Sequence, residues 1–151
     1  MNLYLTLKTL HVLSAMVVLG TGIGIAWYTL RAWLSGDLQV FRWISGETVA
    51  ADWIFTSSAI VALLGSAAGM LAINPAWLQQ LWLQLAIMLT GAVFLLWLPV
   101  VILQYRLRHH AREASTDAIQ RTMRLWCLLG AAAFPLMVLI VFLMVTKPAA
   151  L

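Results

Sequence analysis

The sequence predicts an all-α, polytopic membrane fold, a bundle of four transmembrane helices. Three observations lead there. Of 151 residues, 64% are hydrophobic and only 9% are charged, where a soluble domain carries roughly a quarter charged residues. The mean hydropathy is +0.96. The apolar residues gather in four long runs, each able to cross about 30 Å of hydrocarbon at about 1.5 Å per residue. Backbone groups in lipid must be satisfied within their own segment, so helices are the expected form. The runs are too continuous for the alternating strands of a membrane barrel. Residues 1–151 are therefore expected to form a single transmembrane domain, with no room for a separate soluble one.

The first run spans about 5–30, the second about 49–73, the third about 78–103 and the fourth about 125–145. The first continues past Gly24 and lacks a clean small-residue cleavage site, so it is expected to remain as a helix rather than leave as a signal peptide. Ser35 to Thr48 is mixed in character. Within it, Val40-Phe41-Arg42-Trp43-Ile44 is expected to lie along the membrane interface as a short amphipathic element. Asn74-Pro75 ends the second helix in a short turn, because proline removes a donor and restricts the residue before it. Arg106 to Arg124 is polar and is expected to prolong the third helix before turning into the fourth. Pro99 and Pro135 should bend helices three and four. Gly20-x-x-x-Gly24 and Gly65-x-x-x-Gly69 put small residues on one helical face, a spacing that permits close helix approach. Packing within the chain is the first expectation for them, a homodimer interface the second.

Charge sets the expected orientation. Arg31 and Arg42 lie between runs one and two, and Arg106, Arg108, Arg112, Arg121 and Arg124 between runs three and four. Only Lys8 and Lys147 fall on the other side. The positive-inside rule then puts both Arg-bearing connections in the cytoplasm and both termini outside. Trp77 and Trp82 belong near the outer interface, and Trp33, Trp43, Trp53 and Trp126 near the inner one. The pI near 9.9 is thus a matter of topology, and no nucleic-acid partner is expected. The lone Cys127 excludes an intrachain disulfide and is expected to be a small packing residue.

His11 is the leading candidate for chemistry. It stands in the first run with Lys8 as its only ionisable neighbour, and an imidazole inside a membrane span is costly to keep. Histidine is also the commonest protein ligand for metals and haem iron. Lys8 lies one turn away on the same helical face. It can snorkel to the headgroups or meet an anionic group of a ligand, such as a haem propionate. The competing reading is a histidine hydrogen-bonded to another helix. His109 and His110 lie on the order of 30 Å away by helix rise and are expected to be solvated loop residues. A second axial ligand could then come from Met70, Met88 or Met144. A five-coordinate iron, or a haem shared by two copies of His11, are the other arrangements. Asp52 is expected to pair with Arg31 or Arg42 at the interface, with proton relay as the less favoured role. Ser57, Ser58, Ser66, Gln84 and Thr90 are candidates to bridge helices or line a polar cavity. No catalytic residue is assigned, since nothing pairs a nucleophile with a base or clusters carboxylates around a hard metal.

Leu7-Lys8-Thr9-Leu10-His11-Val12-Leu13-Ser14, with Gly20, Gly22 and Gly24, resembles an uncharacterised family of small bacterial four-helix integral membrane proteins. Asp52-Trp53-Ile54-Phe55-Thr56 and Trp97-Leu98-Pro99-Val100-Val101 strengthen the likeness, which covers essentially the whole chain. More distantly, the helical plan is similar to the HemJ-type protoporphyrinogen oxidases, which bind b-type haem. Their first-helix histidine, in a comparable Lys-x-x-His setting, is implicated in haem ligation, and the resemblance carries that role to His11. The chain departs from the oxidases at Gln84, where they carry lysine, and at Ala132-Ala133 before Pro135, where they carry Asn-Glu. The likeness implies the bacterial inner membrane and a b-type haem protein with a redox, electron-transfer or haem-handling role, served by a redox partner. The alternatives are a non-enzymatic accessory subunit of a larger membrane complex and an oxidase-like enzyme. A small channel or transporter has least support, because there is no buried charge series and no clear internal repeat.

Overall fold

The computed structural model describes residues 2–148, and every described element is helical. Helix α1 spans Leu3–Leu34 and opens on Asn2, whose side chain accepts from the Tyr4 amide. Gly36, at φ +71°, turns the chain after it. Asp37 then caps α2 (Leu38–Ala51), its carboxylate accepting from the amides of Gln39 and Val40. A π-helical segment, Asp52–Ser57, joins α2 to α3 (Ser58–Ile73) without a break. A short 3-10 helix, Pro75–Gln79, leads into α4 (Leu81–Arg112), and α5 covers Thr116–Thr146. Four continuous helices, Leu3–Leu34, Leu38–Ile73, Leu81–Arg112 and Thr116–Thr146, are long and apolar enough to cross a membrane.

The helices outrun the apolar segments. At about 1.5 Å per residue, a 32-residue helix such as α1 is about 48 Å long, so its ends project beyond the hydrocarbon. The largest difference is in the second span. Val40 to Ile44 does not form a separate interfacial element; it lies within the first two turns of the helix that becomes the span. The Asp37 cap starts the helix early, and Phe41 is buried against the other helices. The expected extension of the third helix is present, since α4 runs on to Arg112 before Ala114, at φ +56°, turns the chain into α5. His109 and His110 consequently stand on the last turn of α4 rather than in a loop. Pro99 and Pro135 both lie inside uninterrupted helices.

Packing differs between the two ends. At the Arg-rich end Ala32, Phe41, Leu103, Leu107, Ala111, Ile119, Met123 and Trp126 form one buried cluster drawn from all four spans. Half-buried Cys127 packs against it, as expected. Trp126 is part of this core and not of an interfacial belt, whereas Trp43 and Trp53 are exposed. Two cross-links reinforce the end. Thr29 on α1 shares a buried hydrogen bond with Thr48 on α2 (3.0 Å). Arg42 donates to the carbonyl oxygens of Ala111 (3.2 Å) and Arg112 (2.7 Å), closing the exposed end of α4.

Towards the Pro75 end the bundle resolves into two pairs, α1 with α3 and α4 with α5, which touch each other little. Only the tip is tied. The Trp77 ring packs edge-on against Tyr4, and the Lys147 ammonium lies over the rings of Trp77 and Trp82. The glycines do not all serve close approach. A Cβ at Gly69 would meet Leu7 Cδ1 at 2.9 Å, so α1 and α3 are tight there. Gly20, Gly24 and Gly65 have nothing within 4 Å of that position, which corrects the expectation that both Gly-x-x-x-Gly spacings seat helices within the chain.

Candidate functional site

Apart from the Thr29–Thr48 pair, two groups of polar side chains in the spans bear on function. The first is His11. Its Nδ1 lies 3.1 Å from the Leu63 carbonyl oxygen on α3 and 3.4 Å from the Ser66 hydroxyl. A carbonyl oxygen can only accept, so Nδ1 carries the proton and donates it. In a neutral imidazole that leaves the lone pair on Nε2. Buried Ser66 gives its own proton back to its helix, at Ala62 O (2.7 Å) or Leu63 O (2.9 Å), and is held still by it. The hydrogen bond to another helix, the reading that competes with ligation, is therefore present; it engages Nδ1 and leaves Nε2 without a partner, an arrangement metal-binding histidines also use.

The remaining candidates surround this point unevenly. Lys8 is exposed, one turn nearer the start of α1. Met70 is buried and lies one turn beyond Ser66 on the same face of α3. Met144 is half-buried on α5, and Met88 on α4 is 70% exposed. His109 pairs with Glu113 at 3.2 Å at the far end of the molecule. No group of three or more His, Cys, Asp or Glu side chains is placed to hold a metal ion among the described residues. An iron held here would have to rely on imidazole and on thioether or exogenous ligands.

The second place is Asp52, and here the sequence expectation fails. Asp52 makes no ion pair with Arg31 or Arg42; the His109–Glu113 pair is the only salt bridge among the described residues. Arg42 is committed to backbone carbonyls, Arg31 lies near Trp27, and Asp52 turns inward instead. Its carboxyl is flanked by the side chains of Thr56 and Gln104. It borders a cavity of about 50 Å³ lined also by Val49, Trp53, Ser57, Trp97 and Tyr105. Thr56 was legible as the residue four positions after Asp52, on the same helical face. Gln104 and Trp97 come from α4, and only the tertiary fold brings them to Asp52. Of the other polar candidates, Ser57 donates to Asp52 O and Ser58 and Thr90 to carbonyls of their own helices. Gln84 donates to Leu78 O at the exposed end of α4.

The family model described as "Predicted integral membrane protein (DUF2269)" matches residues 5–148. No curated protein and no solved structure matches the chain. With four helices long and apolar enough to cross a bilayer and a family match over nearly its whole length, the chain belongs to the DUF2269 family of predicted integral membrane proteins.

Proposed function

We propose that this protein binds b-type haem through His11 and serves a redox, electron-transfer or haem-handling role in the bacterial inner membrane. One observation carries the reading: Nδ1 of His11 is engaged by the Leu63 carbonyl, which leaves Nε2 as the free donor an iron requires. Two further features support it. The sparse contact between the α1–α3 and α4–α5 pairs lies in the half of the bundle that holds His11. Met70, one turn beyond Ser66 on α3, is the one of the three methionines that is buried, and is the first candidate for a second ligand. Bound haem would supply one-electron chemistry; the chain's own part is to orient the imidazole and exclude water. Lys8, one turn outward, is suited to a propionate at the membrane surface. In this reading the Arg-rich end faces the cytoplasm and both termini lie outside.

The test is an absorption spectrum of the purified chain, oxidised and reduced, before and after added haem, beside His11→Ala and Met70→Leu. A Soret band is expected in the wild type and its loss in His11→Ala. Met70→Leu should keep the band and shift it if the thioether is a ligand. A wild-type protein that stays colourless with added haem overturns the proposal. An accessory-subunit role is the second reading, favoured by the open glycine positions 20, 24 and 65, which leave α1 and α3 free to seat a partner helix. It requires a stable partner after gentle purification and unchanged function in His11→Ala.

A further inference from the structure

The Asp52 pocket holds several buried polar atoms without a partner, among them a carboxylate and an amide oxygen. Asp52 is 6% exposed, Thr56 5% and Gln104 4%. On the cavity lining, Asp52 Oδ2, Gln104 Oε1 and Trp97 Nε1 are buried without a hydrogen-bond partner; Thr56 Oγ1, behind the lining and beside the Asp52 carboxyl, is likewise buried and unpartnered. Native proteins rarely leave one such atom unpaired, and grouping several around one void marks a place where something else binds. In a span the demand is sharper, because an unpaired carboxylate away from water costs several kcal/mol by order of magnitude.

Charge narrows what can fill it. The lining includes one carboxylate and no cationic side chain. On the elements packed against Asp52, the titratable group at the pocket is Tyr105 of α4, whose hydroxyl accepts from Trp53 Nε1 at the rim. Arg31 of α1 is exposed, Arg108 of α4 is one turn beyond Gln104, and Arg42 of α2 is bound to the end of α4. The volume of about 50 Å³ suits a small ion with a few waters, at about 10–15 Å³ of such volume per water. The backbone is also unusual here. The wider π turn at Asp52–Ser57 lets the Ser57 hydroxyl donate to Asp52 O (3.0 Å), and π segments recur at functional sites.

We propose that Asp52, Thr56 and Gln104 form a binding site for one small monovalent cation, sodium or a proton. A sodium ion would be met by oxygen ligands only, as hard cations prefer, and its charge would balance the single carboxylate. A proton would turn Asp52 Oδ2 into a donor to Gln104 Oε1 and satisfy two orphaned atoms at once. The site is independent of the His11 reading and needs no haem for its test.

The experiment uses the full chain in detergent. Thermal unfolding is compared in sodium chloride and in choline chloride of equal ionic strength, and infrared spectra of the carboxyl region are recorded in both. Sodium binding predicts a rise in Tm of a few degrees over choline, lost in Asp52→Asn and in Gln104→Leu. Proton binding predicts equal Tm in both salts and the C=O stretch of a neutral carboxyl at neutral pH. That band should vanish in Asp52→Asn and move to higher wavenumber in Gln104→Leu. Thr56→Val carries the same comparison if an Asp52 variant fails to fold. The proposal is overturned if the wild type shows neither a sodium-dependent Tm nor a neutral-carboxyl band that these variants change.

Discussion

The two halves of this bundle are built on different terms. At the Arg-rich end all four spans meet around Phe41, Leu107, Met123 and Trp126, and hydrogen bonds from Thr29 and Arg42 tie one helix to another. Towards the Pro75 end the helices hold together in pairs, joined at the tip by the Trp77 ring. Lipid is as apolar as a leucine side chain, so burial by itself does not drive helices together; close contact and interhelical hydrogen bonds do. The half with both is the scaffold. The half with few holds the His11 ring against the Leu63 carbonyl of α3, with its other nitrogen unengaged.

Substitutions can break this contrast. The largest effect is expected at the fully buried Leu107 or Met123. Leu107→Ala should cost about 2–5 kcal/mol, measured by unfolding in mixed detergent, whereas Leu95→Ala on the lipid-facing surface of the same helix should cost little. Equal losses at the two positions would mean that the packed end is not the scaffold. Next comes the buried hydroxyl pair. Thr29→Val should cost about 1 kcal/mol, and adding Thr48→Val should cost little more, because the two share one interhelical bond and Thr48 otherwise donates only to Ile44 O of its own helix. Additive losses in that double-mutant cycle would place the two hydroxyls in separate interactions. The smallest effect is expected at Gly69, where the close atom is the flexible end of Leu7. Gly69→Ala should cost a few tenths to about 1 kcal/mol, and Leu7→Ala should restore part of it. Gly20→Ala, with open space around it, should be neutral or stabilising.

The spans were legible because composition and run length answer to the solvent. A chain with so few charges and such long apolar runs has no alternative to crossing the bilayer as helices. The turns were legible where one residue type forces the backbone, as at Asn74-Pro75. The course of Val40 to Ile44 was not, because the same amphipathic pattern suits an interfacial helix and the buried start of a span, and the Asp37 cap decided between them. His11 stood out as a polar residue in an apolar run, and its hydrogen bond to another helix was among the readings left open. Asp52 also stands out as an acid within a span, but its partners do not follow from the sequence. Nearby arginines in sequence suggested an ion pair, but Arg42 found carbonyls to satisfy and the carboxylate turned to α4.

By itself, then, the sequence determined the class of fold, the number of spans and which residues are expensive to hold in lipid, since each follows from transfer free energies and backbone hydrogen bonding that act locally along the chain. Only the tertiary structure decided which partners those residues meet. Leu63 is 52 positions from His11, and Gln104 lies on another helix from Asp52. Nothing in local periodicity carries the rotation and register of one helix against the next, which side-chain packing and a few interhelical hydrogen bonds set.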